Sequence, residues 1–421
     1  MMIRSVWNEL DAAAKRTFTA AFLGWTLDAF DFFLVTFVLV QLSHDFSRSI
    51  PEIAFAVTLT LMFRPLGALI FGWLGDRFGR RIPLIIDIAL FGVIELATAF
   101  SPNITVFLVL RALFGIAMGG EWGLGAAMAM EALPPNRRGL FSGILQEGYM
   151  VGYLLAALAF YLVSTFTPWG WRGLFVIGAI PSVFVMYIRN AVPESRIWMK
   201  RIATRIDSRA MLLAFWRNAP LVLYAIVFMA GFNFMSHGTQ DLYATFLQKQ
   251  HGFAPTITSS IGIIAAFGAI LGGVVAGGLS QRLGRRKTIV IATILGLLVV
   301  PLWAFSQSIL ALALGGFAMQ FAVQGAWGVI PAHLNELSPE DLRGTFPGFT
   351  YQIGNLISAG ALQIEATIAK SYFALPSGEP DYGKAMAAMA ATVLLVVGIL
   401  ALVGHLVKPE MRSADFAESS T

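Results

Sequence analysis

The 421-residue chain has no cysteine, only five histidines, and few charges. Without cysteine there is no disulfide framework, no thiolate-bound zinc and no thiol catalysis, and redox chemistry says nothing about the compartment. His44, His251, His333 and His405 are scattered, with no carboxylate or histidine at ligand spacing, so no metal is expected. No phosphate loop, nucleotide fingerprint or Ser-His-Asp order stands on a loop that could use it, so no cofactor and no enzymatic activity are expected. Charged residues make up 13% of the chain and hydrophobic ones 57%, whereas a soluble domain carries roughly a quarter charged residues. A mean hydropathy of +0.73 makes lipid the natural solvent. A net charge of +5 would suit nucleic acid if it were clustered, but the basic residues stand in short loops between apolar runs, so no nucleic-acid partner is expected. Met1 to Arg16 is polar, and the apolar stretch after it is too long and lacks the small-residue cleavage site of a signal peptide, so the first span is expected to be retained.

A spanning helix needs about 20 apolar residues. On that scale, runs bounded by charge, Pro or Gly place six spans at about 17–42, 52–75, 82–100, 104–132, 139–165 and 171–190, and six more at about 219–247, 256–280, 286–305, 308–334, 344–369 and 385–407. The expected fold is all-α: twelve transmembrane helices in two six-helix bundles, residues 1–190 and 219–408, with a linker over 191–218 and a tail over 409–421. Arg77, Arg80, Arg81, Arg137, Arg138, Arg282, Arg285, Arg286, Lys287 and Arg343 fall in loops on one side. The positive-inside rule makes that side the cytoplasm, with both termini there and the chain multi-pass in the inner membrane. Arg196, Lys200, Arg201, Arg205 and Arg209 mark the linker as cytoplasmic too.

The chain repeats itself. GWLGDRFGRR at Gly72–Arg81 recurs as GGLSQRLGRR at Gly277–Arg286, an offset of 277 − 72 = 205. Trp122, Gly123, Glu131, Arg138 and Gly139 recur at the same offset as Trp327, Gly328, Glu336, Arg343 and Gly344. Two unrelated strings sharing one offset imply parallel repeats, an arrangement that puts a substrate site between the halves near the membrane midplane. Chemically, the first string is a tight turn at a helix end. Its glycines permit close approach and positive φ, Asp76 is placed to pair with an arginine, and Arg80 and Arg81 suit an anionic lipid surface. It resembles the loop between helices 2 and 3 of the major facilitator superfamily, and its copy resembles the loop between helices 8 and 9. The resemblance implies a gating role for Gly72, Asp76, Arg77, Gly79 and Arg80. Arg111, one turn before Gly115, is similar to that family's helix 4 arginine and is assigned to packing or gating.

Charge inside a span costs at least about 2.5–3.5 kcal/mol at the helix centre and marks a pathway by default. The candidates are Asp28, Asp31, Arg64, Asp87, Glu95, Arg111, Glu121, Glu131, Glu147, His237, Asp241 and Glu365. Glu131 and Glu336 precede Arg138 and Arg343 by seven residues and are expected to form structural ion pairs. Glu365 is expected to reach water near a helix end. Arg64 offers a fork matched to a carboxylate, either that of a substrate or that of Asp28 or Asp31. Asp28 and Asp31 share a helix face, and two like charges in low dielectric resist joint ionisation. With Glu121 in MGGEWG, they are the proton-coupling candidates, against the alternative of permanent pairs with Arg64 or Arg111.

On the seventh span, Asn233, His237, Gln240 and Asp241 fall on one stripe, which in a membrane faces a cavity. With Ser236 and Thr245 they match N-x-x-S-H-x-x-Q-D-x-x-x-T, a signature resembling that of yeast-type lactate and pyruvate permeases. GWTLDAFDFF, GGEWG and PESRIW are similar to the related bacterial sialate and lactate proton symporters. Gln352 and Asn355 on the eleventh span are expected to line the site, and Gln146, Glu147 and Tyr149 on the fifth are weaker candidates. The resemblance implies alternating-access uptake of a small organic anion, a short monocarboxylate such as lactate or pyruvate, with a proton, by a protein working as a monomer in the bilayer. Sialic acid is the alternative substrate. An efflux antiporter would be expected to show G-x-x-x-G-P on the fifth span, where Gly148 and Gly152 are followed by Tyr153. A non-transporting sensor would be expected to add a long soluble tail.

Overall fold

The computed structural model describes residues 2–48, 50–190, 192–195, 198–199, 208–375 and 378–411. Much of the expected linker (191, 196–197 and 200–207) and residues 412–421 of the tail lie outside the described residues. What is described is nearly all helix. A short amphipathic α1 (Met2–Glu9) precedes α2 (Ala12–Asp45), α3 (Ile50–Phe78), α4 (Arg81–Ala99), α5 (Ile104–Ala132), α6 (Arg138–Gln146), α7 (Gly148–Phe166) and α8 (Gly170–Asn190). After α9 (Ser208–Arg217) come α10 (Ala219–Gln240), α11 (Pro255–Leu283), α12 (Arg285–Phe305), α13 (Ile309–Trp327), α14 (Ile330–Leu337), α15 (Phe346–Ser358), α16 (Ala361–Ser371) and α17 (Tyr382–Val403). Side-chain caps set several starts. Asp11 accepts from the Ala14 amide at 2.6 Å, Asn103 from Val106 at 3.0 Å and Ser308 from Ala311 at 3.2 Å.

Ten of the described helical segments are long and apolar enough to cross a membrane. The other two expected spans are built differently. In the sixth, the described apolar stretch is short, Gly170–Ile180. The eleventh is broken at Ala359 and Gly360 into α15 and α16. The fifth, seventh and tenth spans also break, at Glu147, at Asp241–Leu242 and at Gly328–Val329, and the seventh continues through Tyr243–Thr245 into a π turn, Phe246–Gln250. Broken backbone at membrane depth is tolerated where it is buried in protein or lines a cavity.

Packing follows the sequence repeat. A Cβ on Gly67 of α3 would stand 1.8 Å from the Ile116 carbonyl oxygen of α5, and one on Gly272 of α11 would stand 2.1 Å from that of Phe321 of α13. Both partners obey the same offset, 272 − 67 = 321 − 116 = 205, so each half is held by the same glycine-backbone contact. Gly115 and Gly119 of α5 likewise admit the Thr60 and Arg64 carbonyls of α3. One apolar core runs from Leu27 to Phe175. A larger one runs from Ala214 to Ala401 and takes in Trp25 and Trp122 of the first half.

The halves meet chiefly through α3 and α5 with α15, α6 with α11, and α14 with α5 and α6. These contacts gather at the end carrying the two arginine-rich turns, called here the motif end.

Candidate functional site

Between the halves is an aromatic group drawn from both. Trp25 of α2 stacks on Tyr149 of α7 at 5.5 Å, and Trp122 of α5 lies 4.6 Å from Tyr351 of α15. Trp327, the repeat counterpart of Trp122, lies edge-on to Tyr351 at 5.8 Å. Arg64 approaches this ring from α3, with its Cζ 6.0 Å from the ring centroid and a hydrogen bond to the Tyr351 side chain. It is 3% exposed, and its Nε and Nη2 make no protein hydrogen bond. A guanidinium in such a place keeps donors suited to a planar anion. Gln352 is fully buried beside Tyr351 in sequence, and neither of its amide atoms has a partner. The indole Nε1 atoms of Trp122 and Trp327 are likewise buried without acceptors.

The stripe on the seventh span divides in two. His237 and Asp241 pair across one turn at 3.0 Å, at the point where α10 breaks, and Asn355 of α15 hydrogen-bonds His237. Asn233 and Gln240, expected to face substrate, each spend an amide donor on a protein acceptor. The Asn233 amide donates to the Met229 carbonyl of its own helix at 2.8 Å. Gln240 donates to Gln320 of α13 at 2.9 Å, and Gln320 donates to the Thr239 carbonyl at 3.2 Å, tying α10 to α13. Glu365 overturns the expectation that it reaches water: it is 1% exposed, both oxygens lack partners, and the charge it senses is that of Asp241. It stands just beyond the break between α15 and α16, so the breaks of the seventh and eleventh spans bring His237, Asp241, Asn355 and Glu365 together.

Within the first half, Asp31, Glu95 and Arg111 are all fully buried. Arg111 Nη2 reaches Glu95 at 2.7 Å and Thr98 Oγ1 at 2.7 Å, and its Cζ lies 4.3 Å from the Phe114 ring centroid. Asp31 senses the charges of Glu95, Arg111 and Asp28, and its two oxygens have no hydrogen-bond partner. Gly178 of α8 makes room for it, since a Cβ there would stand 2.8 Å from Asp31 Oδ1. Arg111 therefore belongs to a charged cluster inside one half, away from the gating candidates of the turn. Asp28 and Glu121 are buried on α2 and α5. Asp28 acts electrostatically on Tyr351 as well as on Asp31, which places it between the cluster and the aromatic group.

At the motif end the repeat appears as reciprocal contacts. Asp76 accepts from the Gly344 amide at 2.7 Å and from the Thr345 amide and hydroxyl at 2.9 and 2.7 Å, at the N-terminus of α15. Its counterpart Gln281 accepts from the Gly139 amide at 3.1 Å, at the start of α6. Both bonds cross between the halves. Arg80 pairs with Asp76 at 2.8 Å and with Glu131 at 3.4 Å, and Arg285 pairs with Glu336 at 2.7 Å. Glu131 and Glu336, expected to form ion pairs, do so with the turn arginines Arg80 and Arg285, and the Arg138 charge also acts on Glu336. Arg138 Nε donates to the Met130 carbonyl at 2.9 Å. Gly72 is forced, since a Cβ would meet the Thr345 Cα at 2.7 Å, and Gly79 has φ +98°, where only glycine is unstrained. Arg77 is exposed, its Cζ 5.3 Å from the Trp73 ring centroid.

Residues of PESRIW that sequence reasoning left without a role dock here. Glu194 accepts from the Arg80 and Arg81 amides at 2.9 and 3.1 Å, Ser195 donates to Glu131, and Trp198 donates to the Asp76 carbonyl at 3.0 Å. The start of α4 has no side-chain cap of its own, and Glu194, over a hundred residues on in the chain, supplies the carboxylate there. In the second half Glu410 takes the same place at the Arg285 amide. Nearby, burial pushes the Lys408 ammonium below its ordinary range, with the Arg343 charge adding to it, while it donates to the Leu337 carbonyl at 2.9 Å.

Comparison with known proteins places this geometry. The family model "Major Facilitator Superfamily" matches residues 21–362. The chain is 30% identical over 422 residues to a carboxylic acid transporter protein homolog of Saccharomyces cerevisiae, covering 92% of this chain and 67% of that one. It is 26% identical to the sialic acid transporter NanX of Escherichia coli, covering 89% and 92% of the two chains. The solved proton:xylose symporter XylE shares the fold at a TM-score of 0.75 and 17% identity, over 97% of this chain and 99% of that one. A family match over most of the chain, a shared fold, and a repeat written in both sequence and contacts agree: this chain belongs to the major facilitator superfamily and is a multi-pass membrane transporter, not an enzyme.

Proposed function

We propose that the chain is a proton-coupled symporter that takes up a short monocarboxylate of the lactate and pyruvate class by alternating access. Its twelve spans form two halves, residues 1–190 and 219–408, and the motif end faces the cytoplasm. The observation that carries the substrate class is Arg64, a buried guanidinium between the halves whose Nε and Nη2 are unspent. A carboxylate satisfies such a fork with two charge-assisted bonds. Gln352, Asn355 and His237 supply neutral or switchable groups for the rest of a small oxyacid. The yeast relative named as a carboxylic acid transporter homolog supports an organic anion. The relative named as a sialic acid transporter favours the larger acid as second reading.

Proton coupling rests on the Asp31, Glu95 and Arg111 cluster. Two carboxylates beside one guanidinium leave one uncompensated negative charge in a dry interior, which a single bound proton would neutralise. The test is uptake of labelled lactate, pyruvate and sialic acid into vesicles reconstituted with the pure protein. Lactate or pyruvate is expected to accumulate under an inward proton gradient and to stop on adding a protonophore. Accumulation of sialic acid alone would transfer the assignment to the second reading.

The contacts of Asp76 with α15 and of Gln281 with α6 hold the halves together at the motif end, so the conformation is read as closed to the cytoplasm. Asp76→Asn removes a charge from three donors and from Arg80. Hydrogen bonds to charged groups are each worth about 1.5–3 kcal/mol, so transport is expected to fall while substrate still binds. Calorimetric binding that vanishes along with transport would contradict a switching role for Asp76.

A further inference from the structure

The repeat relates two seams between the halves, and one of them holds an acid where the other holds its amide. Glu147, at the break between α6 and α7, corresponds to Gln352 of α15, since 147 + 205 = 352. Gln352 is fully buried and Glu147 is 4% exposed. Glu147 reaches across the seam to α11, where a Cβ on Gly273 would stand 1.9 Å from its Oε1, so the carboxyl occupies the space that a side chain there would need. Backbone closes around this point. The Gly273 carbonyl lies 2.2 Å from the place of a Cβ on Gly143 of α6 and 2.4 Å from that of one on Gly328, where α13 ends. Glu147 Oε1 has no hydrogen-bond partner.

The charged groups on the elements packed around it are otherwise engaged or distant along their helices. On α2 stand Asp28 and Asp31, with Lys15 and Arg16 in its first turns and His44 and Asp45 at its far end. On α5, Arg111 is paired with Glu95 and Glu131 with Arg80, and Glu121 is a further buried acid. On α6, Arg138 is bound to the Met130 carbonyl. On α14, Glu336 is paired with Arg285 at the start of α12, and His333 is buried with neither ring nitrogen bonded. On α8, Arg172 donates to the Ala99 and Ser101 carbonyls. On α11, Arg282 lies nine residues beyond Gly273. None of these makes an ion pair with Glu147.

We propose that Glu147 is a proton-binding site of the seam, occupied whenever the motif end is closed and emptied when it opens. An ionised carboxylate pressed against glycine backbone, with no counter-charge among the described residues, opposes closure, whereas the neutral acid does not, and the repeat puts a neutral amide, Gln352, at the equivalent position. On opening, water reaches the carboxyl and its proton passes to the compartment the motif end faces. Reclosure needs a proton from that compartment, so the return of the empty carrier slows as that side becomes more alkaline. This rests on the alternating-access reading and adds a second proton site to the cluster around Asp31.

The absence of cysteine allows a clean test. Asn136→Cys and Lys287→Cys, both exposed at the motif end, carry spin labels in otherwise unaltered protein in lipid nanodiscs, and the distance between them is measured against pH. A transition linked to one proton changes the ratio of open to closed forms by up to about tenfold per pH unit. The longer distance is expected to gain population as pH rises. Glu147→Gln is expected to stay closed at every pH. A distance in the unsubstituted protein that ignores pH, or a Glu147→Gln protein with the same pH response, overturns the proposal. Should Glu147→Gln fail to fold, Gly273→Ala replaces it: its methyl displaces the carboxyl, so the long distance is expected at every pH, and an unmoved distribution overturns the proposal. Labelled-acid uptake on the same preparations separates the two readings. Uptake that persists while the Glu147→Gln seam still titrates refutes the seam site alone. A seam that titrates as proposed in a protein that carries no acid refutes the symport reading alone.

Discussion

Arg64→Lys is expected to raise the apparent substrate constant by about one to two orders of magnitude, which is the loss of one charge-assisted hydrogen bond of about 1.5–3 kcal/mol. Lysine keeps the positive charge, so the local field and the cost of burial change little. It loses the fork, and a compact ammonium cannot give two parallel bonds to one carboxylate. It also gives up the hydrogen bond to the Tyr351 side chain and the face of that ring, 6.0 Å from the guanidinium carbon, which positions the group. The protein should still fold, because Gly119 of α5 packs on the backbone of Arg64 and not on its side chain. Binding of lactate or pyruvate by calorimetry, with surface expression as control, checks the expectation. Unchanged affinity would remove Arg64 from the site and leave it as a structural partner of Tyr351.

The same residue shows what the sequence could disclose. Arg64 stands out in any reading because a cation at mid-span is expensive, and so does the arginine-rich turn because it occurs twice. What Asp76 binds was not legible. Its partners, the backbone of Gly344 and Thr345, are 268 and 269 residues away and carry no side-chain signature except one hydroxyl. A stripe on a helix says which residues share a face, not which of them turn back on their own backbone. Asn233 does turn back, onto the Met229 carbonyl, whereas His237 does not. The interruptions at Glu147, Asp241 and Ala359–Gly360 were hidden because no proline stands at any of them and apolar residues continue on both sides. Those breaks are what pull Glu365 inward, and a sequence position near the end of a span pointed the other way.

Asp31→Asn and Glu95→Gln are each expected to separate exchange of substrate from its accumulation. In the intact cluster Arg111 answers one carboxylate, with its Nη2 2.7 Å from Glu95. Asp31 stands fully buried beside the pair without a hydrogen-bond partner. Replacing either acid by its amide leaves one carboxylate for one guanidinium, the charge state that a bound proton gives the native cluster. The variant is then fixed in the loaded form. It should carry labelled acid in counterflow, where no net proton movement is needed, and it should fail to concentrate the acid under a proton gradient, because no proton leaves the cluster on the inner side. Removing the cation has the opposite consequence. Arg111→Gln strands two carboxylates in an apolar core, and breaking a buried pair costs about 3–5 kcal/mol, so loss of folded protein is expected there and not in the amide variants. Counterflow and pH-driven uptake measured side by side decide the matter. Accumulation retained in both Asp31→Asn and Glu95→Gln would exclude the cluster as the coupling site, and loss of both activities in folded protein would make it structural. The charge bookkeeping singles out Asp31 and Glu95 over Asp28 and Glu121, whose amide variants are expected to keep pH-driven accumulation.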